Sequence, residues 1–453
     1  MPFFYRLLSA SIALLLVASL AHAADLRTRK SIDDLSADEL ETYIHAVKQV
    51  RDKSIADPLV QFSYAHMAGL HNIPALFSGA CMHHTYNFWA WHRAHLINYE
   101  DALRASDPPR TANVMVPYWD WTKKPSGKRF PVVFENDTAA VTAHYGRPID
   151  PALLTILSSP QRNSAPSQSW FPWPVVSTAA RTGTASFLGT ASDGGDFEKD
   201  IHDAMHGFVG GALCCPSSAA DDVIFWSFHT FFDVVWWWRQ QSITDVPPCE
   251  DCVLNGMAPQ TALRPDGPTM AKNVTNAAAQ LGYTYQFTPD AAPVVLASTY
   301  SDRLPVLAEL SLQKPALVRE FSVNAPASTS GKIAVALQQV AAPADIAYMA
   351  FVYVYPRGAA FTPADAQFRN RYLVGHVARW PSQHAQAGHA DSSDYLISVD
   401  LASYPAVQAA ANGPLTVSVA IHPQAQKAGP APLAPQADAD LERNTKIGSV
   451  SFK

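Results

Sequence analysis

The chain has 453 residues, 48% of them hydrophobic and 16% charged, with a formal net charge of −6. That length and apolar content suit two or three domains with substantial buried cores and exclude a disordered or fibrous chain. The mild acidic balance carries no basic stripe, which argues against nucleic acid as the main partner and leaves small molecules as the expected ligands.

Residues 1–23, MPFFYRLLSASIALLLVASLAHA, combine one early arginine, an apolar run and an AHA triplet. This is the pattern of an export signal cleaved after Ala23. The uninterrupted apolar run is shorter than the roughly 20 residues that a spanning helix needs, and no later segment reads as transmembrane. A secreted or periplasmic protein without a stable membrane anchor is therefore expected. Export puts Cys81, Cys214, Cys215, Cys249 and Cys252 in an oxidising compartment. The expected pairing ties 214/215 to 249/252 in two disulfides and leaves Cys81 over. Half of a zinc site at Cys249-x-x-Cys252 is the alternative, although no second CxxC exists to complete it.

From 31 to 56, SIDDLSADELETYIHAVKQVRDKSIA reads as a capped helix, with Ser36 three residues before Glu39 and Leu40, Tyr43, Ile44 and Val47 at helical spacing. Residues 83–104, 196–209 and 221–241 carry further helical patterns, separated by long Pro/Ser/Gly-rich connections. After about residue 285 the texture changes to period-two runs at 346–355, 394–401, 414–422 and 447–452, the pattern of a β-sandwich. The expected fold is a mainly α helical-bundle domain over 24–289 followed by an all-β sandwich over 290–453. The tract GPAPLAPQ, 429–436, reads as a loop of that second domain. Asn136-Asp137-Thr138 and Asn273-Val274-Thr275 are glycosylation sequons, which matter only in a eukaryotic host.

Eleven of the sixteen histidines lie between residues 45 and 229. In IHDAMHG, His202 and His206 are four apart and share a helix face. In DDVIFWSFHTFFDVVWWW, His229 sits in a segment so apolar that an uncompensated imidazole would be costly. Asp233, one turn on, is placed to orient the His229 ring from behind a metal, or is an ordinary helix charge. In CMHHTYNFWAWHRAH, His83 or His84 precedes His92 by eight or nine residues, and Glu100 lies two turns after His92. His66 or His71 is a further candidate. Three imidazoles in one set and three in another suggest a helical bundle around two metal ions, and ligation without carboxylates suits copper or zinc better than magnesium or calcium.

CMHHTYNFWAWHRAHLINYE, 81–100, resembles the first copper signature of the tyrosinase, catechol oxidase and haemocyanin family: a histidine, four or five residues, an aromatic, W-H-R, and a glutamate eight after the second histidine. Counting back from Phe88 selects His83, and LHNIP followed by C-x-H selects His71 over His66. VPYWDWT, 116–122, is similar to a stretch that follows the first site in family members. His202, His206 and the run Asp222 to Asp233 around His229 resemble the second signature. The chain departs from the family pattern at Asp222-Val223, Phe228-His229 and Asp233-Val234-Val235-Trp236, where D-P, a double histidine and D-R-L-W are usual. Asp203 stands where an asparagine is common in enzymes that hydroxylate monophenols.

This resemblance implies a binuclear type 3 copper centre on His71, His83, His92, His202, His206 and His229. It implies dioxygen and small catecholic substrates, with oxidation of o-diphenols, and of monophenols only if Asp203 permits, to o-quinones. Asp203 and Glu198 are the candidate catalytic carboxylates, Phe225 a ring packed on imidazoles or on substrate, and Glu100 and Asp233 supports of the site. A thioether joining Cys81 to His83 and a C-terminal domain that shields the site are also implied. A haemocyanin-like oxygen carrier and a histidine-rich zinc hydrolase are the rival readings.

Overall fold

The computed structural model describes residues 26–56, 61–72, 81–123, 130–159, 162, 171, 173–190, 195–214, 218–245, 249–254, 257, 270–289, 315–326, 331–343, 348–379, 390–401, 404–423 and 435–452. The export signal expected at 1–23 lies outside them. Among the described residues no helix is long and apolar enough to cross a membrane.

Helix α1 (Ala37–Ala56) begins on the expected cap: Ser36 N–H donates to Glu39 Oε2 at 2.8 Å and Glu39 N–H to Ser36 Oγ at 3.2 Å. Its face of Leu40, Tyr43, Ile44, Val47 and Val50 is buried. The short helix α2 (Tyr64–His71) is capped by Ser63, whose Oγ accepts from His66 N–H at 3.2 Å. Its end is pinned by Asn72, which donates from Nδ2 to Asp221 Oδ1 at 2.8 Å and accepts from Ala220 N–H at 3.1 Å.

Helices α3 (Phe88–Arg104) and α5 (Ile224–Gln240) form the centre of the helical part, and nearly every side chain on both is buried. Helices covered on all sides belong in a core, so their polar groups need internal partners. Helix α3 starts later than the pattern at 83–104 suggests, because His84 has φ 54° and a left-handed residue cannot continue a right-handed helix. Between these two, Glu198–His202 forms one widened, π-type turn in which Asp203 N–H reaches back five residues to the Glu198 carbonyl. It runs directly into α4 (Asp203–Val209). Helix α5 is anchored at its start by Asp222, which accepts from Ile224 N–H at 3.2 Å and from Arg162 through both carboxylate oxygens at 2.5 and 2.8 Å.

Strand β1 (Arg27–Arg29) pairs in parallel with β2 (Tyr283–Tyr285), bringing the two ends of the helical part together. Beyond it, β3 (Leu317–Val323), β4 (Lys332–Pro343), β5 (Tyr348–Pro356), β6 (Leu373–Arg379), β7 (Ala390–Asp400), β8 (Leu415–Pro423) and β9 (Lys446–Phe452) form two antiparallel sheets in the orders β3-β8-β5-β6 and β7-β4-β9. The sheets approach closely where β6 meets β7: a Cβ on Gly375 would stand 2.5 Å from Ile397 Cγ2.

Three expectations are corrected. Strand β5 does not alternate, since Tyr348 to Tyr355 are all buried. It is a central strand whose tyrosines lie under Phe361 and Phe368, with ring centroids 5.1 Å apart for Tyr353 and Phe361 and 5.3 Å for Tyr355 and Phe368. The tract 429–436 is not loop throughout, because α6 (Pro435–Asn444) begins inside it, proline being well tolerated as a first helical residue. Finally, Cys249 is bonded to Cys252 and not to 214/215. The two lie three residues apart on a turn with Cα atoms 5.4 Å apart, so the bridge closes a far shorter loop than the expected pairing would. The bond also removes the zinc alternative at this pair, since the thiolates are gone. The side chains of Cys214 and Cys215 lie outside the described residues.

Candidate metal centre

Six imidazoles converge between α3 and α5 in two groups. His71, Cys81, His83 and His92 form one, and His202, His206 and His229 the other, with ligand-capable atoms within 4.8 Å of one another in each. His71 ends α2, His83 lies in the turn before α3, and His92 is on α3. His202 closes the widened turn, His206 is on α4 and His229 on α5. Cys81 is in no disulfide, and its Sγ lies 3.2 Å from His83 Nδ1 and 3.5 Å from His92 Nε2. The groups abut: the His92 and His229 rings are stacked 4.4 Å apart, and the His83 and His202 rings are 5.5 Å apart.

Ring orientation is set from behind. The Nδ1–H of His92 donates to the Phe88 carbonyl at 2.8 Å, that of His206 to the Leu213 carbonyl at 2.6 Å, and that of His202 to Asp203 Oδ1 at 2.8 Å. These partners fix the tautomer and leave Nε2 unprotonated and directed inward. His202 Nε2 and His206 Nε2 then face each other across 2.9 Å, an arrangement of two lone pairs that a shared cation stabilises. Among the described residues neither buried ring nitrogen of His229 has a hydrogen-bond partner, which is costly unless one of them binds a metal. Burial, reinforced by neighbouring imidazoles, holds His71, His83, His202 and His229 well below the ordinary histidine range, and burial alone brings His206 down to about 3. Neutral imidazoles in this number are a donor set for copper or zinc, and the residues fit such ions.

Aromatic rings close the space around them. The Phe88 ring lies 4.5 Å from His92 and 4.7 Å from His202, Phe228 lies 4.9 Å from His206, and Phe225 lies 4.6 Å from His71 and 4.3 Å from His229. Phe225 therefore packs on imidazoles, one from each group. A cleft of about 540 Å³ lined by Arg27, Lys30, Tyr43, Arg110 and Met115 holds none of these ligands.

The two candidate catalytic carboxylates are joined through His84. Asp203 is buried and accepts from His202 on one oxygen and from His84 Nε2 on the other at 2.9 Å. Glu198 is fully buried and accepts from His84 N–H at 2.6 Å, while its Oε2 has no hydrogen-bond partner among the described residues. Burial pushes the Glu198 carboxyl up to about 8. His84 thus holds both carboxylates, a role its place beside His83 in the sequence does not reveal.

Asp233 and Glu100 belong to a different construction. Asp233 accepts from Arg93 Nε, from Arg29 Nη1 at 3.2 Å and from the hydroxyls of Tyr283 and Tyr285, and it does not touch the His229 ring nitrogens. Burial alone would raise the Asp233 carboxyl, but Arg93 and Arg29 outweigh it and hold it below the usual carboxylate range. Glu100 accepts from Arg29 Nε at 2.9 Å and Val116 N–H at 3.0 Å. Arg29 lies over the Tyr283 ring at 3.8 Å, and Arg93 over that of Trp236, also at 3.8 Å. This clasp locks α3 to α5 beside the ligands, Arg93 following His92 directly and Asp233 standing one turn after His229. Arg29, Tyr283 and Tyr285 are not legible as site residues in the sequence, although the buried charges Arg93 and Asp233 signal that counter-groups must exist.

The family model described as the common central domain of tyrosinase matches residues 61–170 and 150–242. Tyrosinase HcTyr1 from a Hahella species is 23% identical over 239 residues, 45% of this chain and 51% of that protein. Hemocyanin G-type, units Oda to Odg, from Enteroctopus dofleini is 27% identical over 244 residues, 46% of this chain and 8% of that protein. The chain thus spans about half the length of the first of these relatives and far less of the second. The solved structure of latent apple tyrosinase superposes with a TM-score of 0.60 at 15% identity, covering 95% of this chain and 97% of that one. That likeness is one of fold, and it extends over both the helical core and the β sheets.

Proposed function

Residues 61–242 belong to the tyrosinase family of type 3 copper proteins, and from that premise we propose that the protein is a copper phenol oxidase that turns o-diphenols into o-quinones with dioxygen. The observation that carries this reading is the pair of facing histidine groups, His71, His83 and His92 against His202, His206 and His229. When bound, two copper ions supply oxygen binding and take up the electrons of the catechol. The chain's own residues do the rest. Phe88, Phe225 and Phe228 exclude water around the imidazoles, which strengthens electrostatic interactions there. Asp203 holds His202 and is the proposed acceptor of the phenol proton. Its second oxygen meets His84, whose side chain is 36% exposed, so a proton passed to this pair has a way out. Glu198, raised by burial to about 8, keeps its own proton at neutral pH.

The division into a catalytic domain at 24–289 and a C-terminal sandwich at 290–453 that shields the centre is part of the same proposal, as are export by the N-terminal signal and a thioether between Cys81 and His83. The second reading, an oxygen carrier, is favoured by the octopus hemocyanin match. Oxygen uptake by the copper-loaded protein with a monophenol and its matching diphenol, side by side, separates them. Uptake with the diphenol is expected. Reversible oxygenation, seen in the near-ultraviolet band of the copper pair, without diphenol turnover would instead establish the carrier.

A further inference from the structure

A side-chain hydrogen bond ties the C-terminal sheets to the metal centre's scaffold. His376 on β6 is 9% exposed and donates from Nε2 to the backbone carbonyl of Asp200 at 3.2 Å. Asp200 is the middle residue of the widened turn Glu198–His202, two residues before the ligand His202. Turns of this kind have an offset hydrogen-bond ladder, so their carbonyls are open to an outside donor, and an inserted donor fixes the local bend. His376 is itself rigidly placed. It stands opposite Phe351 in the β5–β6 pairing, and its neighbour Gly375 is the point where β6 closes on Ile397 of the other sheet. Strands β5 and β6 both pack against α4.

His202 is therefore held from two sides. Asp203 fixes its Nδ1, and the turn that carries its backbone is fixed by a side chain more than 170 residues away in sequence. We propose that His376 is a positioning residue for the second metal group: the C-terminal sheets sustain the geometry of His202 as well as covering the centre. The inference rests on the metal-centre reading above and extends it, by making the sheets a structural part of one ion's site. A hydrogen bond of this type is worth roughly a five- to tenfold change in an equilibrium it controls.

The test is a titration of the metal-free, full-length protein with copper alone, followed by calorimetry and metal analysis. Wild type binds two ions per chain. His376→Phe weakens one of the two roughly five- to tenfold and leaves the other unchanged, while His376→Gln, which keeps an N–H donor, recovers affinity to within about twofold. Equal affinities for both ions in wild type and His376→Phe overturn the inference. Should His376→Phe fail to fold by circular dichroism, the same comparison is made between His376→Gln and His376→Leu, with the same criterion. A wild type that binds fewer than two ions fails the metal-centre reading instead, before any variant is compared.

Discussion

The rings of His92 and His229 lie face to face, 4.4 Å between centroids and 5° between planes, although the residues come from helices 137 positions apart in sequence. Each belongs to a different histidine group, so the two proposed ion sites would share a wall but no ligand. His229→Ala is expected to remove one ion and leave the other. Metal analysis after dialysis should give about half the wild-type copper per chain; loss of both ions would mean that the groups do not act separately.

The clasp of Arg29 with Glu100 and Asp233 is fully buried. Replacing one partner of a buried pair leaves an uncompensated charge, at a cost of about 3–5 kcal/mol. Arg29→Met should lower the unfolding free energy from urea titration by that amount, with a corresponding fall in the midpoint, and adding Glu100→Gln should recover part of it. If Arg29→Met leaves the midpoint within experimental scatter of wild type, the clasp does not stabilise the fold.

A thioether between Cys81 Sγ and the His83 ring requires removal of the thiol hydrogen and one ring hydrogen, with dioxygen at the copper pair as oxidant. The peptides carrying Cys81 and His83 should then weigh one H2 less than the unlinked sequence and resist alkylation. A fully alkylatable Cys81 in the folded, copper-loaded protein would rule the bond out. Its consequence would be to fix one imidazole before substrate arrives.

Acid sensitivity of the metal-free protein follows from the buried histidines. Burial brings His95 and His206 down to about 3 and His376 and His422 to about 4, whereas unfolded histidine titrates near 6.5. Between about 6.5 and 4 the unfolded chain takes up protons that the folded one does not, so stability is full above about 6.5 and falls as the pH drops through that window. Glu198, raised to about 8, works the other way. Its folded carboxyl keeps a proton that the unfolded one releases above about 4.5, so its contribution is lost as the pH rises towards 8. Asp33 and Asp221, raised by burial to about 6, and Asp200, raised to about 7, act in the same sense as Glu198. The lowered histidines, with His66, His71, His83, His92, His202 and His229 added, outnumber them, so the melting temperature should fall from pH 7 to pH 5. A flat profile over that range would contradict neutral, buried imidazoles.

Removal of the C-terminal sheets by cleavage between residues 289 and 317 should raise diphenol turnover per bound copper pair while lowering the affinity for one ion. Turnover per pair that is unchanged or lower would argue against shielding.

Much of this site is legible in the sequence because its ligands sit at helical spacings. His202 and His206 are four apart, and His92 is embedded in a run whose aromatic residues mark a core helix. The cap at Ser36 and Glu39 is local chemistry and forms as expected. What the spacings do not reveal is contact between distant segments. Nothing near Asp233 indicates that its partners are Arg29, Tyr283 and Tyr285, so it reads as a support for His229. His84 looks like a bystander because its role depends on a left-handed backbone that turns it towards Asp203 and Glu198. Cysteine arithmetic counts sulfurs but not turns and so pairs 214/215 with 249/252, whereas Cys249 and Cys252 meet because their backbone already brings them together.

The β1–β2 pairing has a consequence for the order in which the protein can mature. Tyr283 and Tyr285 are made more than 250 residues after Arg29, yet all three meet at Asp233. Until that late strand has emerged, Arg93 and Asp233 cannot be sealed inside, and α3 and α5 lack the bolt that aligns His92 with His229. A nascent chain can thus carry every histidine ligand in place along its length and still be unready for copper. The bolt closes with residue 285, after the last ligand has been synthesised, and the turn that carries His202 gains its outside support only when His376 follows.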